Sequence, residues 1–148
     1  MKRILAAVDG SAGSEKALDF AADLAVKCES DLILLMATTE VPSVSDATYQ
    51  AYARSEHFQA GASELALADA EAVLARARMR AQTRGVKQIS AEATLGDPAQ
   101  QIIAFAKDRQ ADLVVVGSRG HGQLVGLLIG SVAQKVISHA ACPVVVVR

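Results

Sequence analysis

The sequence predicts a three-layer α/β fold in which a parallel sheet is covered by helices on both faces. Two observations carry that expectation. Five short apolar runs alternate strictly with four helical patterns along the chain. The runs themselves are nearly uninterrupted, as strands buried on both faces are, whereas a strand with one wet face alternates. Composition agrees: 51% of residues are hydrophobic and only 3% aromatic, so Ala, Val, Leu and Ile supply the apolar content. At 148 residues the chain has the length of one domain, 1–148. A chain of this length buries about 70% of its unfolded surface, enough for a core without staples. No internal repeat, low-complexity tract or interdomain linker is visible.

Each element has its own signal. Residues 3–8 (Arg-Ile-Leu-Ala-Ala-Val) form the first strand, and Asp9-Gly10-Ser11-Ala12-Gly13-Ser14 a loop in which Ser14 is the expected N-cap. Ala17, Leu18, Ala21, Leu24, Ala25 and Cys28 recur at three and four, so a first helix runs to about Glu29. Leu32 to Ala37 is the second strand. Residues 39–60 keep no clean period and read as a partly helical insertion. Leu65, Ala68, Ala72, Ala75 and Met79 mark the expected inner face of a second helix, stopped by Gly85. Residues 88–94 alternate as an outer strand with one wetter face. Asp97-Pro98 opens a third helix, an N-cap followed by proline at the first helical position, with Ile102, Ile103 and Ala106 inward. Leu113 to Val116 is the fourth strand. A fourth helix begins near Ser131 and uses Val132, Val136 and Ala140, and Pro143 introduces the last strand, Val144 to Val147.

Composition also excludes functions. The formal net charge is −1 and the pI about 6.3, which argues against nucleic acid held by bulk charge and against an anionic membrane surface. Two Tyr, three Phe and no Trp leave little for stacking bases. No apolar run reaches the 18 or more residues of a membrane span. The opening Ile4 to Val8 is cut by Asp9, too short for a signal-peptide core. Cys28 and Cys142 lack CxxC spacing and read as small core residues in a reducing cytoplasm.

The informative stretch follows the fourth strand: Gly117-Ser118-Arg119-Gly120, nine residues, then Gly130-Ser131. Glycines let a backbone approach an anion closely and expose successive N–H groups. Gly130-Ser131 lies where a helix begins, so amides and the positive dipole end converge, and Ser131 adds a hydroxyl. A phosphate held between the two clusters needs no catalytic side chain. The bland reading, that these glycines are simple turns, is disfavoured by five of them (Gly117, Gly120, Gly122, Gly126, Gly130) within fourteen residues. Arg119 and His121 fit either a phosphate contact or a solvated loop. Better-known signatures are missing. No lysine lies between Gly117 and Ser131 for a phosphate loop, and Gly120-His121-Gly122 to Gly126 misses G-x-G-x-x-G by one residue. His57, His121 and His139 are scattered, so spacing gives neither a metal site nor a serine triad.

The spacing Gly117-x2-Gly120-x9-Gly130-Ser131 resembles the G-x2-G-x9-G-[ST] pattern of ATP-binding universal stress proteins. Ile4 to Ser11, with Ser14 following, is similar to that family's first strand and its V-D-G-S-x-x-S loop. Gly96-Asp97-Pro98 and Cys142 to Val147 resemble its third helix start and its last strand. The likeness covers the chain except roughly residues 41–60. It implies a Rossmann-like sheet of five parallel strands in the order 3-2-1-4-5, with adenine nucleotide at the carboxyl ends. That order places Asp9 opposite Gly117 across the topological switch point.

The resemblance also implies roles. Gly117, Gly120, Gly130 and Ser131 would bind phosphates and ribose. Asp9 would meet the nucleoside or its metal, although a cap or turn acid is its plainer reading. Ala37 would meet adenine through its backbone, and Ala7 and Val116 would line the same pocket; Arg119 and Val132 complete the candidate set. The implied ligand is ATP, ADP or AMP, with Mg²⁺ or Mn²⁺ carried on the phosphates. The implied assembly is a homodimer through Val144–Val147, an edge that a soluble protein must cover. Two functions follow: a cytoplasmic, dimeric nucleotide-binding regulator of the stress response, or a slow ATPase or self-phosphorylating transferase. The second is disfavoured by the missing lysine and by the lack of a base placed to activate water. Tyr49, Tyr52, His57 and Phe58 fit local helix packing, a lid or a partner surface.

Overall fold

In the computed structural model the described residues are 1–39, 56–120 and 129–148, with side chains of the second helix described from residue 63. Tyr49 and Tyr52 of the expected aromatic cluster, with His121, Gly122 and Gly126, lie outside them, as do the side chains of His57 and Phe58. Strands β1 (Arg3–Ala7), β2 (Asp31–Thr38), β3 (Ile89–Leu95), β4 (Leu113–Gly117) and β5 (Val144–Val147) pair in parallel in the order β3-β2-β1-β4-β5. Helices α1 (Ala12–Cys28), α2 (Glu56–Thr83), α3 (Pro98–Asp108) and α4 (Ser131–His139) are the four among the described residues.

Successive strand residues point to opposite faces, and here they feed two separate cores. Ile4, Ala6, Leu32, Leu34, Leu113 and Val115 pack with α1 and α2. Leu5, Ile33, Leu35, Val114 and Val116 pack with α3 and α4. Each fully buried Leu, Ile or Val side chain contributes about 1.5–3 kcal/mol. The alanines of α1 (Ala17, Ala21, Ala22, Ala25) let its axis lie close to the sheet.

The helix starts follow local chemistry. At α3, Asp97 is the N-cap and its carboxylate accepts from the Gln100 N–H at 3.1 Å, with Pro98 at the first position. At α1 the cap is Ser11, one turn earlier than the expected Ser14; its hydroxyl accepts from the Ser14 N–H at 3.2 Å. The reason is the Asp9 carboxylate, which accepts from the Ser11 N–H at 2.9 Å and turns the chain into the helix early. Ser14 is instead buried in the first turn, accepting from the Asp9 N–H at 3.3 Å and donating to the Ser11 carbonyl at 3.0 Å.

Two further expectations are corrected. The stripe Leu65, Ala68, Ala72, Ala75 and Met79 does not face the sheet; Leu65 and Met79 are 66% and 67% exposed. The buried face of α2 is Ala70, Leu74, Ala77 and Ala81, widened by half-buried Leu67 and Val73. A sheet needs a broad apolar arc, and the outer stripe is narrow, bordered by Glu64, Asp69, Glu71 and Arg76. Cys28 is exposed, not core, because it sits in the last turn of α1 beyond the last buried residue, Ala25. Cys142 is half-buried, and burial pushes its thiol up. Among the described residues no helix is long and apolar enough to cross a membrane.

Ion pairs fix how α2 lies on α1. Arg80 reaches Asp19 at 2.6 Å and Glu15 at 3.2 Å, while Arg84 reaches Asp19 at 2.9 Å and Asp23 at 2.6 Å. The Arg80 hydrogen bond, opposed in part by burial, holds the Asp19 carboxyl below the usual carboxylate range. A depressed carboxylate adds stability above its unfolded pKa and loses it as pH falls through the folded one. Wild type is therefore expected to exceed Asp19→Asn by about 1 kcal/mol, the value of a partly exposed ion pair within a network. Urea unfolding across a pH series should show that margin constant from pH 7 to about pH 5, shrinking only below the unfolded carboxylate pKa of about 3.9 and lost once pH falls past the lower folded one.

Candidate functional site

The core shared with α3 and α4 is not filled to its end. Where β1, β2 and β4 finish, small side chains at Ala7, Ala37 and Ala133 leave a cavity of about 540 Å³. Leu35, Ile102 and Val116 make its apolar wall, and Pro98 brings in the first turn of α3. Its polar end is formed by Asp9, Ser14, the turn Gly117-Ser118-Arg119-Gly120, and Gly130-Ser131. An apolar pocket with a few convergent polar groups is the usual form of a small-molecule site.

The turn after β4 is held by backbone bonds on both sides. The Ser118 N–H donates to the Val147 carbonyl at 2.7 Å, and the Ser118 carbonyl accepts from the Gly130 N–H at 2.7 Å. The turn is thereby tied at once to the last strand and to the start of α4. Gly130 is the N-cap of α4 and brings no side chain to cap its first amides. The positive end of that nine-residue helix lies at the cavity's polar end. Gln134 bonds back from the same helix, its Nε2 donating to the Ile129 carbonyl at 2.9 Å.

The glycines differ in what they allow. A Cβ on Gly117 would stand 2.8 Å from the backbone of Gly13, and one on Gly13 would stand 2.6 Å from the Arg119 carbonyl oxygen. The first turn of α1 and the turn after β4 therefore touch backbone to backbone. A Cβ on Gly120 would stand 2.6 Å from the Asp9 carboxylate, so the turn lies directly against that side chain. A Cβ on Gly130 would stand 3.2 Å from the Ser118 carbonyl oxygen.

The ten candidates taken from the sequence (Ala7, Asp9, Ala37, Val116, Gly117, Arg119, Gly120, Gly130, Ser131 and Val132) all line this one cavity. Asp9 is both turn acid and cavity wall. Sequence reasoning missed Pro98, Ile102, Leu35, Ile129 and Gln134 on the lining. The Asp97-Pro98 helix start could have located two of them, since helix starts in such a sheet lie at the carboxyl ends of the strands. Gly13, the close-packed partner of Gly117, was also missed and carries no motif of its own.

A family model described as "Universal stress protein family" matches residues 1–148. The chain belongs to the universal stress protein family. Universal stress protein YxiE of Bacillus subtilis is 36% identical over 147 residues, covering 99% of this chain and 98% of that relative. Universal stress protein UspA from Lactobacillus plantarum superposes with a TM-score of 0.82 at 23% identity, covering 99% and 97% of the two chains. A universal stress protein solved in complex with cAMP superposes with a TM-score of 0.74 at 25% identity, again covering 99% and 97%.

The Gly13–Arg119 approach makes a test of the universal stress protein cradle. Gly13→Ala puts a methyl against a carbonyl oxygen that is pinned by its neighbours, so one segment must shift. Guanidinium unfolding is expected to show a loss of about 1–3 kcal/mol, the scale of overpacking. Ser14→Ala in the same turn removes a hydroxyl without a clash and is expected to lose less, about 1 kcal/mol.

Proposed function

We propose that this universal stress protein binds an adenine nucleotide, ATP foremost, in the cavity between the turn after β4 and the start of α4, and acts as a nucleotide-responsive regulator. The observation that carries the reading is the cavity's two-ended character: an apolar slot at the sheet end, and glycine backbone with a helix N-terminus at the other. Adenine suits the slot of Ala7, Leu35, Ile102 and Val116, and phosphates suit the amides and hydroxyl at Gly130 and Ser131. The cAMP complex of a related protein supports the same ligand class.

The donor set fits a metal that arrives with the nucleotide. Among the described residues no group of three or more His, Cys, Asp or Glu side chains could hold an ion. Asp9 is one carboxylate beside the polar end, and Mg²⁺ commonly combines one or two carboxylates with phosphate oxygens and waters. When bound, the ion would neutralise phosphate charge against Asp9. Arg119 lies on the same rim and would face the outer phosphates.

A homodimer through β5 belongs to the same reading. β5 is a sheet edge by strand order, and its four valines are only partly buried. Pro143 and Val147 direct their carbonyls at β4. The alternation of a parallel strand then turns backbone groups of Val144 and Val146 outward, ready for another strand. Because the Ser118 N–H bonds to Val147, the dimer edge and the phosphate turn share one hydrogen bond. Both cysteines are free thiols, in keeping with residence in a reducing cytoplasm.

Calorimetric titration of Mg-ATP is expected to give micromolar affinity, about −8 kcal/mol. Gly120→Ala, which pushes on the Asp9 carboxylate, is expected to weaken it at least about tenfold while leaving the circular dichroism unchanged. No heat with wild type, and no nucleotide released from the fresh protein, would defeat the reading. ADP production assayed on the same sample decides between a regulator and a slow ATPase. Light scattering should give about 31 kDa, twice the 15.4 kDa chain; a monomer at micromolar concentration removes the dimer.

A further inference from the structure

The outer stripe of α2 has no role in the cavity, in the core or at the β5 edge, and its pattern is specific. Leu65, Ala68, Ala72, Ala75 and Met79 fall at alternating steps of three and four, the a and d positions of consecutive heptads. The stripe is diametrically opposite the Ala70, Leu74, Ala77, Ala81 face that packs on the sheet. Such a narrow two-position seam is the pattern that packs against one other helix. Alanines at its centre would allow two helices to approach closely.

The charges beside the seam say which helix fits. From Glu64 to Glu71 the borders are acidic (Glu64, Asp69, Glu71), and from Arg76 onward they are basic (Arg76, Arg78). A second copy of α2 laid antiparallel brings each acidic half against the other's basic half; laid parallel, it sets Glu71 beside Arg76 of the second copy but also Glu64 beside Asp69, so one attractive contact is offset by one repulsive one. Setting Ala72 opposite Ala75 of the second copy also sets Ala68 opposite Met79. In that register Asp69 falls beside Arg76 of the second copy, and by symmetry the pair occurs twice. Arg78, on the other border, is anchored by donating to the Ile89 carbonyl at 2.6 Å.

We propose that α2 is a self-association surface, in which two copies of this chain pair antiparallel along Leu65–Met79. The surface is separate from the proposed β5 edge, because α2 lies over β2 and β3 at the opposite side of the sheet. The two pairings do not compete, so together they would join β5 dimers into tetramers or longer assemblies. The inference depends on neither nucleotide nor the cavity.

Sedimentation of the full chain from micromolar to millimolar concentration tests it. The weight-average mass of wild type is expected to rise with concentration, and Ala72→Glu to abolish that rise without changing the circular dichroism. Asp69→Arg places Arg against Arg76 of the second copy, and Arg76→Asp places Asp against Asp69. Each single change is expected to weaken association about tenfold. The double variant, which swaps both signs, is expected to restore it to within about twofold. A mass rise that Ala72→Glu does not alter overturns the proposal, as does a wild-type mass independent of concentration. Single variants that weaken association without rescue in the double point to another geometry and also overturn it. Ala72→Glu that lowers Tm while the wild-type mass stays constant with concentration shows the seam covered within one chain, and overturns it too.

Discussion

The site depends on one contact: the first turn of α1 lies against the turn after β4 with no side chain between them. Gly13 and Gly117 make it sterically allowed, and the parallel pairing of β1 with β4 brings the two segments to the same level. Ser118 and Gly130 then carry the contact onward by backbone hydrogen bonds to β5 and α4. The cradle is therefore built from main chain, whose geometry is set by the sheet rather than by rotamers. Side chains are added at its rim, Asp9, Arg119 and Ser131 among them.

The two faces of the sheet divide the work. Under α1 and α2 the core is reinforced outside by the Arg80 and Arg84 ion pairs. Under α3 and α4 the core stops short, because the residues that would close it are Ala7, Ala37 and Ala133. A binding slot here is an unfinished hydrophobic core. Its walls are as rigid as the rest of the interior, since Leu35, Ile102 and Val116 are packed on their other sides.

This division explains what the sequence could and could not tell. The strands were legible because burial on both faces leaves unbroken apolar runs, as in Val114-Val115-Val116. Asp97-Pro98 was legible because cap and proline act locally. The glycine cradle was legible because glycine is informative wherever backbones converge. Ser11 was misread in favour of Ser14 because the decisive partner, the Asp9 carboxylate, acts through a turn that period and propensity do not register. Pro98 and Ile102 were not anticipated as site residues because an apolar cavity wall and a core face have the same composition. Gly13 escaped notice since its partner, Arg119, is more than one hundred residues away in the chain.

The second helix shows the limit of periodicity itself. A helix rich in alanine can carry two apolar stripes, and a period of 3.6 is satisfied by either. The stripe with the larger ends, Leu65 and Met79, gives the stronger signal in the sequence, yet the sheet took the other. What separates them is width: Leu67, Ala70, Val73, Leu74, Ala77 and Ala81 span an arc that can lie on a pleated surface without pressing a charge into it. The Leu65–Met79 stripe is hemmed by Asp69 and Arg76, so laying it on the sheet would bury an acid and a base among aliphatic strands. The same border that bars it from the sheet suits a helix of matching charge, where the two ions stay at the rim. The charges beside an apolar stripe, more than its hydrophobicity, thus decide whether it is core or interface.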